Sequence, residues 1–196
     1  CFLNPENAAQ YTGLVKPFSH QAYEETIQSA LSVAASNGCR KVVLSTGGKS
    51  ERLAMRVCSD LPPEAFVQIA DFYAFSLMEA QTAGFLSVVH SVFFGKLVKM
   101  AQGHDYTHAH KTALDLNLVG KLARDGGHDH VLCRQLAEAN TARHAFELLR
   151  AEDASDVIHA VAALALKNSV RLTANQMAIR TLLFDYDGAL LVDIST

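Results

Sequence analysis

The segment Lys41-Val42-Val43-Leu44-Ser45-Thr46-Gly47-Gly48-Lys49-Ser50 decides the fold. Its first five residues have the apolar pattern of a buried β-strand, and Ser50 is expected to cap a following helix whose Leu53, Ala54 and Val57 point inward. The glycine pair lets backbone N–H groups approach a ligand, and a helix N-terminus favours negative charge. The loop matches neither a dinucleotide fingerprint nor a phosphate-binding P-loop. It is therefore either a ligand contact or a plain strand-to-helix turn.

Strands and helices alternate on both sides of this segment. A helix capped by Ser19 precedes it and ends at Asn37-Gly38. Further strands are expected over Phe66 to Ala70 and Phe85 to His90, with helices over Phe72 to Ala83 and from near Gly95. Such alternation predicts an α/β fold with a Rossmann-like, mostly parallel sheet flanked by helices.

The second half of the chain is predicted to be largely helical and to end in a hairpin. Helices are expected over 111–124, 131–139, 141–150 and 155–166. The tail from Ile179 to Ile194 alternates around Tyr186-Asp187-Gly188, a strong hairpin signal. Residues 1–18, with three breakers, are predicted to be an extended arm or linker ahead of a Rossmann-like domain over 19–196.

Composition narrows the class of protein. The chain has 196 residues, 49% of them apolar and 19% charged, with a net charge of −3, so it can bury a sizeable core. The absence of a basic block argues against nucleic-acid binding, and no apolar run is long enough to predict a membrane span. Four widely spaced cysteines without a C-x-x-C pair predict reduced thiols and a cytoplasmic location.

Parallel strands bring their C-terminal ends to one edge, where ligands bind. The segments 45–50, 71–73 and 91–96 are therefore candidate ligand loops. Asp71 is expected either to bind ribose hydroxyls or to cap the next helix. Lys96 and Lys99 lie on one helix face and are expected either to bind substrate carboxylates or to be solvated.

The histidines do not predict a metal site. His104, His108 and His110 are spaced loosely, no H-E-x-x-H is present, and Gly103 argues against one continuous helix. The loop His128-Asp129-His130 is expected to be exposed. No catalytic triad or carboxylate pair stands out, which is compatible with a reaction that depends on positioning two bound reactants.

Six motifs in register resemble one family. They are Thr12-Gly13-Leu14-Val15-Lys16-Pro17-Phe18-Ser19, Leu44 to Glu51, Phe66 to Phe72, Gly95 to Gly103, Thr107-His108 and Ala139-Asn140-Thr141-Ala142-Arg143-His144. Over Thr12 to at least Leu149 the chain is thereby similar to the CbiD family of cobalt-precorrin-5B C1-methyltransferases of anaerobic cobalamin biosynthesis.

The resemblance implies methyl transfer from S-adenosylmethionine to C1 of a cobalt-precorrin macrocycle. The residues it would assign to the cofactor are Ser45, Thr46, Gly47, Gly48, Asp71 and Gly95. Those it would assign to the substrate are Lys96, Lys99, Thr107, Asn140 and Arg143. His108 is the expected proton carrier.

Two departures from the family pattern accompany the resemblance. The family has a further N-terminal domain ahead of the first motif, and this domain is an expected partner for the substrate cleft. Val92 stands where the family has a glycine, which weakens the expected cofactor contact through 91–96. A homodimer is left open. So are two other functions, a dinucleotide-binding enzyme and a non-catalytic module that binds a corrinoid or a partner.

Overall fold

A computed structural model describes residues 20–108 and 114–196. Its strands are β1 (Lys41–Ser45), β2 (Phe66–Gln68), β3 (Ser87–Phe93), β4 (Ala178–Phe184) and β5 (Leu190–Ser195). Its α-helices are α1 (His20–Ser36), α2 (Gly48–Val57), α3 (Tyr73–Thr82), α4 (Phe94–Ala101), α5 (Asn117–Asp125), α6 (His130–Ala137), α7 (Ala142–Ala151) and α8 (Ser155–Leu172). None of these helices is long and apolar enough to cross a membrane.

The five strands form one sheet in the order β2-β1-β3-β4-β5. The first four strands are parallel, with Val43 of β1 beside Val89 of β3, and β5 returns antiparallel to β4. The predicted Rossmann-like α/β class and the C-terminal hairpin are confirmed.

Helices cover the two faces of the sheet unequally. The larger core lies on the face of α1, α3, α4 and α8, where Leu31, Leu77 and Val161 are fully buried. The smaller core lies under α2, where Leu53 and Ala54 meet Val43 and Leu182. The chain leaves β1 through α2 on one face of the sheet, and it leaves β3 through α4 on the other face. The connections from these two neighbouring strands therefore diverge, which opens a crevice between the ends of β1 and β3.

Several predicted boundaries are wrong, and the side chains explain why. Ser50 does not cap α2: the helix begins at Gly48, and the Ser50 hydroxyl donates within the first turn to the Gly47 carbonyl at 2.8 Å. β2 ends at Gln68 rather than Ala70, although the Ile69 N–H still donates to Ser45. Val57 is half-buried rather than fully inward.

The predicted ligand loop over 91–96 does not exist. β3 continues through Val92 to Phe93, and α4 begins at the next residue. Val92 pairs with Leu183, and its side chain is 1% exposed in the larger core. A valine is therefore compatible with this position, since it fills a core site and not a loop.

The last helix ends later than expected, since α8 extends to Leu172 rather than Leu166. The thiols of Cys39, Cys58 and Cys133 are free, as predicted, and those of Cys58 and Cys133 are buried. The predicted arm over 1–18, the Ser19 cap, Cys1, His110 and the start of the helix expected over 111–124 lie outside the described residues.

Candidate functional site

The candidate site lies where β1 and β3 separate. In a sheet of this order, ligands bind in the crevice outside the C-terminal ends of the strands at which the connections change face. The glycine loop, Thr46 to Gly48, directly follows β1, and Phe93 is the last residue of the neighbouring strand β3. The segment that decides the fold therefore also lies at the expected ligand edge.

Neither the backbone conformation nor the packing of the glycine pair, Gly47 and Gly48, requires glycine. Gly47 has φ 166° and ψ 170°, which is extended backbone, and a Cβ there would meet nothing within 4 Å. A Cβ on Gly48 would make only ordinary contacts, the nearest being Arg52 at 3.5 Å. Neither packing nor backbone strain therefore accounts for these two glycines.

A polar layer supports the glycine loop from below. The Thr46 N–H donates to the Ser91 carbonyl of β3 at 3.2 Å. The Ser91 hydroxyl donates to the Ser50 carbonyl of α2 at 2.8 Å. Ser45 is fully buried, and its hydroxyl has no partner among the described residues. Glu51 accepts a hydrogen bond from Gln68 at 2.8 Å, and burial raises the pKa of its carboxyl group.

Asp71 and Lys96 form an ion pair at this edge. The Lys96 ammonium lies 2.9 Å from Asp71 Oδ1 and also donates to the carbonyls of Ala70 at 2.7 Å and Thr46 at 3.4 Å. Asp71 does not cap α3, because Phe72 is the cap residue and the Ala74 N–H donates to the Asp105 carbonyl. The interpretation of Asp71 as a helix cap is therefore wrong.

Lys99 points into the protein rather than into solvent. It is 5% exposed, and its ammonium donates to the carbonyls of Thr107 at 3.2 Å and His108 at 2.8 Å. Burial lowers the pKa of this amine, while Asp71 opposes the shift. The solvated interpretation is wrong for Lys99, which holds the Thr107–His108 segment against α4.

Thr107 and His108 join the same cluster. The Thr107 N–H donates to the Asp71 carbonyl at 2.9 Å, and its hydroxyl lies 3.5 Å from Asp71 Oδ1. The imidazole of His108 stacks on Tyr106 with ring centroids 5.9 Å apart. Tyr106 in turn meets Phe72 edge-on at 5.1 Å. Sequence reasoning missed this aromatic flank, because Phe72 is distant in sequence from Tyr106 and His108.

A second group lies beyond the glycine loop, at the ends of β3 and β4. Phe93 and Tyr186 stack at 5.8 Å with nearly parallel rings. The Lys49 ammonium lies 5.9 Å from the Phe93 ring, and the Arg143 guanidinium lies 5.0 Å from the Tyr186 ring. The resemblance assigned Arg143 to the substrate. Lys49 lies in the motif Leu44 to Glu51 but received no role, and no sequence signal indicated Phe93 or Tyr186.

The remaining predicted site residues lie at the start of α7. Asn140 is exposed just before the Thr141 cap, whose hydroxyl accepts the His144 N–H at 3.1 Å. A Cβ on Gly95 would approach Ala142 to 3.2 Å, so this glycine has a packing reason in the contact between α4 and α7. The cofactor role expected of Gly95 thus has a structural alternative.

The described histidines do not gather into a metal centre. Gly103 has φ +79° and follows the end of α4, so His104 and His108 do not share a helix. Among residues 20–108 and 114–196, no group of three or more His, Cys, Asp or Glu side chains is arranged to hold a metal. His128 pairs with Asp156 at 2.9 Å, and Asp129 caps α6.

Comparisons with known proteins point to one family. The family described as "CbiD, C-terminal domain" matches residues 106–194. The cobalt-precorrin-5B C(1)-methyltransferase of Nitratidesulfovibrio vulgaris is 41% identical over 177 residues, which are 90% of this chain and 46% of that protein. The protein of the same name from Paracidovorax citrulli is 35% identical over 94% of this chain and 50% of its own length. The one from a Geobacillus species is 33% identical over 91% of this chain and 49% of its own length.

The chain spans about half the length of the curated relatives it matches. No solved structure matches it.

Proposed function

The chain belongs to the CbiD family, and from this premise we propose that it takes part in S-adenosylmethionine-dependent methylation of C1 of cobalt-precorrin-5B, in cytoplasmic cobalamin biosynthesis. The name shared by relatives that are 33 to 41% identical supports the reaction class. The further N-terminal domain expected of the family would complete the substrate cleft.

One observation carries the cofactor assignment. Gly47 stands at the separation of β1 and β3 in an extended conformation with open space around it. Since the fold does not need a glycine there, close approach of a ligand to the backbone is the remaining physical reason for one. The N-terminus of α2 adds a favourable site for the carboxylate of the methionine moiety.

The residues around this loop suit the rest of the cofactor. Asp71, paired with Lys96 and close to the Thr107 hydroxyl through Oδ1, would accept hydrogen bonds from the ribose hydroxyls. Thr46 contributes the loop backbone, and Ser45, fully buried, supports it from below. Gly95 acts indirectly, by letting α7 pack against α4.

When bound, S-adenosylmethionine supplies an electrophilic sulfonium methyl group, and the chain's task is chiefly to align the two reactants. Through backbone carbonyls, Lys96 ties α4 to Ala70 beyond the end of β2, and Lys99 ties α4 to Thr107 and His108. We assign Lys96, Thr107, Asn140 and Arg143 to the substrate. As C1 bonds to the methyl group and the methyl–sulfur bond breaks, the macrocycle gains the positive charge of the sulfonium, and His108 accepts the proton that the macrocycle then loses. Lys99 serves the substrate by positioning Thr107 and His108.

Two alanine substitutions with opposite expected effects test the cofactor site. Gly47→Ala should leave the unfolding free energy unchanged and weaken S-adenosylmethionine binding at least about tenfold, because the methyl group occupies the approach to the backbone. Gly38→Ala should cost about 1 kcal/mol, since Gly38 has φ +81°, and leave binding intact. Isothermal titration and chemical denaturation of the complete protein measure both.

Wild-type affinity in the Gly47→Ala protein would contradict the assignment of the glycine loop. A wild-type protein that binds NAD, but not S-adenosylmethionine at millimolar concentration, would instead favour a dinucleotide enzyme.

A further inference from the structure

Two cations flank an aromatic pair at the C-terminal ends of β3 and β4. Lys49 belongs to the first turn of α2 and Arg143 to the first turn of α7, so they approach the Phe93–Tyr186 stack from different helices. We refer to these four residues as the cationic platform. Its position beside Gly48 makes it continuous with the glycine loop.

The cations of the platform are available to a ligand, unlike those on the other side of the loop. Lys49 is exposed and forms no ion pair within the described residues; its ammonium donates to the Tyr186 carbonyl. The Arg143 side chain is 67% exposed and uses Nε for a surface pair with Glu147 at 3.0 Å. Lys96 and Lys99, by contrast, are half-buried and buried, and they are held by Asp71 and by carbonyls.

The platform is held in place by packing that the cations themselves do not provide. Tyr186 meets Phe146 edge-on at 5.7 Å, and Phe146 contacts the buried Phe94 at 5.4 Å. On the other side, the turn that carries Tyr186 rests on α2, where Gly188 lies against Leu53. Cations held over aromatic faces are attracted to the rings and keep their charge, so the rings orient them without neutralising them.

From this arrangement, and resting on the proposed function, we infer that Lys49 and Arg143 bind carboxylates on the rim of the corrin-type substrate, with Phe93 and Tyr186 as positioning residues. The platform adjoins the loop that holds the methyl donor, which is the placement a transfer reaction requires. A guanidinium forks onto a carboxylate, whereas an ammonium acts as a point charge. Together they match a macrocycle that carries several separated carboxylates.

Local cations matter here because this chain carries a net negative charge. The net charge is −3, so long-range attraction of a polyanionic ligand is unfavourable and affinity must come from specific pairs. The substrate is apolar in its ring and charged at its rim. Aromatic side chains beside cations provide both kinds of contact in one place.

Charge removal tests the inference on the complete protein. The probes are cobyrinic acid, a corrin whose rim carboxylates are free, and its fully esterified analogue, with binding measured by isothermal titration. Lys49→Gln and Arg143→Gln should each weaken binding of the acid about tenfold, leave the ester unaffected, and preserve the affinity for S-adenosylmethionine. Arg150→Gln, an exposed arginine in the last turn of the same helix, is the charge-matched control and should change nothing.

The positioning role of Tyr186 has its own measurement. Tyr186→Leu should raise KM for cobalt-precorrin-5B about tenfold with kcat unchanged, because Arg143 loses the ring beneath it. Tyr186→Phe keeps the ring and should restore the wild-type KM.

Several outcomes would overturn the inference. They are wild-type affinity for cobyrinic acid in both glutamine variants, or no binding of this acid by the wild-type protein at millimolar concentration. Platform-dependent corrin binding without any S-adenosylmethionine binding would instead overturn the proposed function and leave the platform standing.

Discussion

His90 is a buried residue whose chemistry the candidate site does not use. It lies in the middle of β3 at 0% exposure, and neither ring nitrogen has a partner in the described chain. Its neighbour across the β3–β4 pair, Thr181, likewise has an unpartnered hydroxyl. Tyr73 meets the imidazole at 5.4 Å. Burial lowers the pKa of His90 from 6.5 to about 4.

This depressed pKa predicts acid sensitivity. In the folded state His90 stays neutral, whereas in the unfolded state it protonates below pH 6.5. Its contribution is therefore fully present above pH 6.5 and is lost as pH falls toward 4, by about 3 kcal/mol in total. His90→Leu should flatten the fall in unfolding free energy between pH 7 and 4.5, measured by urea denaturation.

The exposed His130 provides the control for this experiment. His130→Gln should keep the wild-type pH profile, and an unchanged slope in the His90→Leu protein would show that another group causes the acid loss.

At the same scale, the sequence predicted which residues gather but not how they point. The i and i+3 spacing correctly placed Lys96 and Lys99 on one helix face. Spacing does not reveal which carbonyls accept hydrogen bonds from the two ammonium groups, namely that of Ala70 for Lys96 and those of Thr107 and His108 for Lys99. Those acceptors belong to segments distant in sequence or without regular structure. Only the tertiary fold brings them to α4.

Among the elements, the hairpin between β4 and β5 makes a sharp prediction. Gly188 has φ +102°, and a Cβ there would lie 2.9 Å from Leu53 Cδ2 of α2. Gly188→Ala should therefore destabilise the protein by about 2–3 kcal/mol, through backbone strain and a clash with α2. Chemical denaturation measures the loss.

Gly127→Ala separates the two causes. Gly127 has φ +84° but open space around it, so alanine there should cost only about 1 kcal/mol. Equal losses in the two variants would mean that the turn does not press on α2.

The sequence predicted the elements better than their ends. Apolar periodicity located β1 correctly, and Asp-Gly located the hairpin, because both signals are local. The end of β3 was missed because no breaker separates strand from helix. α8 runs past its expected end because Asn168 donates to the carbonyls of Met100 and Ala101, at 2.9 and 2.8 Å, a tertiary contact that no local pattern contains.

For the whole molecule, the strand order predicts a hierarchy of stability. β3 pairs on both sides, whereas β5 is an edge strand among the described elements. Amides in the middle of β3 should exchange only on global unfolding, and those of β5 at least about a hundredfold faster. Hydrogen exchange followed by mass spectrometry or NMR tests this ranking.

Equal, concentration-dependent protection of β5 would contradict the ranking. It would also indicate that a second copy covers this edge, the homodimer that the sequence leaves open.

The order itself was not predictable from the sequence. Alternating strands and helices specify parallel neighbours, but they do not specify that β3 inserts between β1 and β4. Long-range packing decides that, since α2 takes one face and α4 the other. The candidate site follows from the same choice, because its crevice exists only where consecutive connections diverge.

The direct passage from β3 into α4 has a mechanical consequence. A strand paired on both sides and a helix packed into the core share one peptide bond, without a hinge between them. Phe93 and Lys96 therefore form a rigid wall of the crevice. Induced fit at this edge must come from the β1 side, by rotation about the glycine backbone, so ligand closure is one-sided.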